Sequence, residues 1–253
     1  MNDLDSLVFD HVLAGIAASP WRDDLVLRGS AAMPAWVGDR ARVPGDLDFV
    51  VAPSADGGVH MPVVDLLRHL DEQPEPPGLD LDLENASLDW FSDLDDEAYG
   101  DDSGIRVRIH WEAVGRPDDE GTLQIDFAAD EVMPEPPVAA RVPRRTAGEP
   151  IDVPAAGPGL SLAWKLRWLD ADQEHDGLAQ AKDLYDAVVL AEAYPDGLTP
   201  ALIGAVLPSR FAADQIPGWD VAWRRLRDLG GRSIAGDADA WLARLRRAMP
   251  DDL

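Results

Sequence analysis

The chain of 253 residues has no cysteine, and among its 22 basic residues only Lys165 and Lys182 are lysines. Without thiols there can be no disulfide, thiolate metal site or cysteine nucleophile, so a metal would have to rest on oxygen or histidine ligands, which favours a hard ion such as Mg²⁺. No apolar run approaches the ~20 residues that span a bilayer, and the start from Met1 to Asp5 lacks the basic stretch of a signal peptide. A cytoplasmic protein without membrane contact is expected. Positive charge is scarce as well. The formal net charge of −26 sets up a field that repels polyanions and argues against a general nucleic-acid binder with a broad basic face. Fourteen of the 22 basic residues lie after position 140, which leaves a local basic groove open to the C-terminal part.

What is present is enough apolar material for a sizeable core, 46% of residues, in a length that suits one large domain or two small ones. Leu4, Leu7, Val8, Val12, Leu13 and Ile16 recur at helical spacing and predict a first helix over 3–18. Leu25 to Arg28 reads as a short strand, Gly29-Ser30 as a turn into a small-residue helix over 31–37, and Asp46 to Val51 as a strand whose apolar end suits a sheet covered on both faces. A helix is expected over 60–70. From His69 to Ile105 there is no lysine or arginine, and this acidic insertion, rich in proline and glycine, is expected to be a solvated linker, with an edge hairpin as the alternative. Ile105 to Ala113 and Thr122 to Phe127 alternate as paired strands, with a polar turn over 115–121, giving at least four strands. The Pro-rich stretch 134–158, which holds Arg141, Arg144 and Arg145, marks an expected boundary. Beyond it helical periodicity runs through 160–171, 178–193, 200–207, 220–229 and 237–249. The expected architecture is α/β (α+β): a small mixed β-sheet core over 1–140, with the acidic insertion 69–105, followed by an all-helical part over 141–253.

Residues i and i+2 of a strand share a face, so Asp46 and Asp48 project together. Like charges at that separation cost stability unless something positive lies between them, and a divalent cation would serve. The competing reading has Asp46 capping a turn and Asp48 exposed on an edge strand. In Leu123-Gln124-Ile125-Asp126-Phe127 a lone Asp again interrupts an apolar strand, where an unpaired charge is disfavoured. Three such carboxylates on neighbouring strands would form an oxygen-only site for Mg²⁺, the arrangement that supports in-line attack on a triphosphate. Gly29-Ser30 opens a helix whose N-terminal amides favour an anion, with Ser30 adding a hydroxyl, although Gly-Ser also serves simply as a turn and cap.

Strand, Gly29-Ser30, helix, Asp46-x-Asp48 and a later Asp126, in that order, resemble the nucleotidyltransferase superfamily that includes polymerase-beta-like enzymes. More closely, "LVLRGSAAMPAWVGDRARVPGDLDFVV" resembles the opening of the type IV abortive-infection toxin nucleotidyltransferases of the AbiEii/AbiGii kind. Arg42 matches their motif arginine, whereas Pro44 stands where a serine is usual and Arg28 where a lysine is common. "LSLAWKLRWL" and "AQAKDLYDAVVLAE" resemble the family's helical Leu-Ala-x-Lys-Leu and Arg/Lys-Asp-x-x-Asp-Leu motifs, and the chain's two lysines fall inside them. The resemblance covers roughly residues 25 to 52, 122 to 128 and 159 to 192.

The resemblance implies a metal-dependent transferase that moves a nucleotide from an NTP to an acceptor hydroxyl. Asp46, Asp48 and Asp126 would hold Mg²⁺ or Mn²⁺, with Asp126 also the candidate base. Lys165 would contact the phosphates, Asp183 would assist catalysis or hold that lysine, and Asp186 would be a second carboxylate. Gly29, Ser30, Arg42, Lys165 and Lys182 would meet the nucleotide. Without the family, Lys165 reads as a snorkelling residue on a Leu/Trp helix, and Lys182 with Asp183 and Asp186 as a surface cluster. The implied acceptor is a tRNA 3′ end and the implied partner a cognate antitoxin. A small-molecule, antibiotic-type acceptor suits the acidic surface, and a catalytically silent interaction protein on the same scaffold is the third reading. The five histidines show no ligand spacing, and Trp164, Trp168, Trp223 and Trp241 fit a helical core.

Overall fold

The computed structural model describes residues 3–52, 63–92, 103–129, 131–228, 234–250 and 253. Helix α1 (Asp3–Ala18) leads into strand β1 (Leu25–Arg28), helix α2 (Gly29–Val37) and strand β2 (Leu47–Val51). After α3 (Val63–Asp71) come three long strands, β3 (Leu79–Ser92), β4 (Ser103–Ala113) and β5 (Arg116–Ala128), and then the hairpin of β6 (Val138–Val142) and β7 (Ile151–Ala155). The remainder is helical: α4 (Pro158–His175), α5 (Ala181–Ala193), α6 (Pro200–Val206) and α7 (Ala238–Ala248), with 3-10 segments at Ala213–Gly218 and Trp223–Asp228. No described helix is long and apolar enough to cross a membrane.

Among the described residues the strands form one mixed sheet in the order β3-β4-β5-β2-β1-β7-β6. β1 runs antiparallel to β2 and parallel to β7, while β2 runs parallel to β5. Alternation along the central strands then fixes what covers each face. Leu25, Leu27, Phe49 and Val51 join α1 and α3 in one apolar cluster, and Val26 and Val50 join α4, α5 and α7 in a second. This is the sheet covered on both faces that the apolar run of β2 predicts. Because β2 is internal, the reading of Asp48 as an exposed residue on an edge strand is excluded.

Four expectations change. The stretch 69–105 is not chiefly a solvated linker. Leu79, Leu81 and Leu83 alternate inward and pair β3 with β4 from Leu79↔Ala113 onward, so the edge-hairpin alternative holds, with residues 93–102 outside the described set. The turn expected over 115–121 is only Val114-Gly115, since β5 already begins at Arg116 and Gly115 takes up a positive φ of 77°. The helix expected over 220–229 is the 3-10 segment Trp223–Asp228, with Leu229 outside the described residues. Beyond residue 134 the prolines hide β6 and β7, so the sheet draws strands from both sides of residue 140.

Candidate active site

Register places the chemistry. Asp48 lies opposite Arg28 on β1 and beside Asp126 on β5, and Asp126 lies opposite Arg106 on β4. Four neighbouring strands thus carry a row of charges, Arg106, Asp126, Asp48 and Arg28. Asp46, just before β2, meets the turn at the start of α2, where the Ser30 hydroxyl donates to its Oδ1 at 3.4 Å. Gly29 has φ of 66°, and a β-carbon there would fall 2.3 Å from Asp48 Oδ2. Only glycine lets this turn pass so close to the carboxylate.

The opposite wall comes from two helices. Lys165 and Trp168 share a face of α4, and Asp183 and Asp186 share a face of α5, each pair three residues apart. Lys165 Nζ donates to Asp183 Oδ1 at 2.6 Å, stands 3.4 Å from Asp186 Oδ2, and lies 4.7 Å from the centre of the Trp168 ring. Burial alone would lower the pKa of Lys165, but Asp183 and Asp186 outweigh it and hold the ammonium above its ordinary value. The same pairing keeps the Asp183 carboxyl low in spite of its burial. These contacts replace the snorkelling and surface-cluster readings of the two motifs.

Gly29, Ser30, Arg42, Asp46, Asp48, Asp126, Lys165, Lys182 and Asp183 all line one cleft of about 510 Å³. Lys182 is exposed at its rim. Asp186 is fully buried behind it, accepting from Arg42 Nε at 3.1 and 3.0 Å. Arg42 therefore ties the loop before β2 to α5, besides bordering the cleft.

Asp48 is only partly exposed, and burial together with Asp46 and Asp126 pushes its carboxyl up to about 6, against the pull of Arg28 and Lys165. Among the described residues no three carboxylate or imidazole groups stand close enough to enclose a metal ion. The chemistry of the donors nonetheless fits a hard divalent cation. The donors are all oxygen, and the like-charge cost at Asp48 is one that a cation would relieve.

Sequence reasoning passed over four residues that hold this wall together. Arg106 and Gln124 donate to Asp126, Arg106 through Nε and Nη2 at 2.8 and 2.7 Å and Gln124 at 3.2 Å. Glu131, buried, pairs with Arg28, whose guanidinium lies 5.7 and 5.4 Å from the Trp164 and Trp168 rings. Arg145 donates to the Pro44 carbonyl at 2.7 Å, two residues before Asp46. Its own loop is tied down by Asp10, which accepts from the Arg145 and Thr146 amides and the Thr146 hydroxyl at 3.0, 2.8 and 2.6 Å. For Gln124 the available signal is its place two residues before Asp126, on the same face of β5; Arg106, Glu131 and Arg145 leave none.

No curated protein matches the chain. The family model described as nucleotidyl transferase AbiEii toxin, type IV toxin–antitoxin (TA) system, matches residues 11–252 and so spans both walls of the cleft. That span takes in the segments that carry the strand-borne aspartates, the Gly29-Ser30 turn and the buried Lys165 with Asp183, and the chain belongs to the AbiEii nucleotidyl transferase toxins of type IV TA systems.

Proposed function

We propose that this protein transfers a nucleotidyl group from an NTP to an acceptor hydroxyl in a reaction that depends on Mg²⁺ or Mn²⁺, with a tRNA 3′ end as acceptor and a cognate antitoxin as counterpart. One observation carries the reading: a wall of three aspartates faces a buried, charged lysine across a single cleft. Asp46 and Asp48 would hold the cation, joined by Asp126. When bound, such an ion neutralises charge on the transferred phosphate and eases deprotonation of the acceptor.

The remaining work falls to the chain itself. Amides at the start of α2 and the Ser30 hydroxyl are suited to phosphate oxygens. Lys165, kept charged by Asp183, presents a compact positive charge on the other side, and exposed Lys182 adds a second at the rim. Asp126 is the candidate base for the acceptor proton. A polycationic small molecule is the second reading, favoured by the acidic edge of β3 and β4, where Asp80, Asp82, Glu84 and Glu112 border a separate groove.

Incubation with α-labelled NTPs, Mg²⁺ and total tRNA tests the proposal. Label should enter tRNA and vanish in Asp48→Ala and Lys165→Met. Label on an aminoglycoside but not on tRNA would favour the second reading, and no Mg²⁺-dependent nucleotide binding at all would overturn both.

A further inference from the structure

The two arginines that flank the aspartates differ in how firmly they are held. Arg28 is buried against two tryptophans and paired with Glu131. Arg106 has a side chain 36% exposed, rests on the Phe91 ring at 5.7 Å, and borders the cleft. Yet Arg106 occupies both oxygens of Asp126, at 2.8 and 2.7 Å, while Asp126 is only 8% exposed. A bidentate guanidinium fills the directions in which a carboxylate would otherwise reach a metal ion.

We infer that Arg106 is the resident counter-cation of Asp126, and that a divalent ion gains its third carboxylate only when this arginine lets go. Arg106 is thus a positioning residue that sets the site's affinity for divalent cations. The inference rests on the metal-dependent reading above. It makes removal of a positive charge near three carboxylates tighten cation binding through one specific contact, where damage to the fold would weaken it.

The test is titration of MnCl₂ into the intact protein without nucleotide, followed by the electron paramagnetic resonance of free Mn²⁺, in wild type, Arg106→Gln, Arg106→Lys and Asp48→Asn. Arg106→Gln should bind Mn²⁺ about tenfold more tightly, on the order of what a half-exposed bidentate pair contributes. Arg106→Lys, which keeps the charge but loses the fork, should fall between. Unchanged or weaker binding in both arginine variants, with Asp48→Asn still abolishing it, overturns the role of Arg106 and leaves the metal reading standing. Wild-type binding that is absent or indifferent to Asp48→Asn overturns the metal reading and the inference with it.

Discussion

A methyl group at position 29 would meet Asp48 Oδ2 at 2.3 Å on a backbone already at φ of 66°. Gly29→Ala should therefore cost about 1–3 kcal/mol of stability in urea unfolding and suppress nucleotide transfer together. Asp48 itself pulls the other way. Its carboxyl is pushed up to about 6 by burial, Asp46 and Asp126, so at pH 7 the ionised form strains the metal-free protein. Asp48→Asn should stabilise the metal-free protein by about 1–3 kcal/mol, read as a higher melting temperature, while removing Mn²⁺ binding. A lowered melting temperature would count against like-charge strain at this pair. At this scale much could be read directly. Asp46-x-Asp48 and Asp126 announce themselves because a charge in an apolar strand demands an explanation, but Arg106 is seen to face Asp126 only once the antiparallel register of β4 and β5 is known.

Among the elements, α5 is fastened to the loop before β2 through a buried carboxylate, Asp186, and through the Tyr185 hydroxyl, which donates to the Arg40 carbonyl at 2.7 Å. Asp186 serves Arg42 and Lys165 at once, at 3.0 and 3.4 Å, with no exposed surface of its own. Asp186→Ala should destabilise by about 3–5 kcal/mol, because two buried cations lose a partner. Adding Arg42→Met should recover part of that loss, and strictly additive effects in the double-mutant cycle would deny the coupling. Elements with a strong period, α1, β1, β2 and α4, were legible because burial on a known face dictates their pattern. β3 was obscured because its acidic outward positions resemble a solvated linker when the inward Leu79, Leu81 and Leu83 are not weighed separately. β6 and β7 were obscured by surrounding prolines, although Val153 and Ala155 alternate inward. Whether an acidic segment is a strand depends on a neighbour such as β4, and no local pattern supplies that.

For the molecule as a whole, stability against acid and base should bear the mark of the Lys165–Asp183 pair. Asp183 is held below its ordinary pKa and so stabilises above the unfolded value of 3.8, a contribution lost as the pH falls through its folded pKa. Lys165 is held above its own, so its contribution is full below 10.5 and lost as the pH rises through the folded value. Lys165→Met leaves Asp183 buried and unpaired. The gap in melting temperature between wild type and this variant should be widest near pH 7 and shrink toward pH 4. A gap independent of pH would show that the lysine contributes packing alone.

The joining of distant segments also bears on how the protein is made. The last of the three aspartates is residue 126, but the facing lysine and its partners lie at 165, 183 and 186, and β7, beside β1, precedes them. A ribosome must release α5 before the two walls can meet. A nascent chain interrupted before that point holds the aspartates without their counterpart, so on the proposed reading activity should arise only once α5 has left the ribosome.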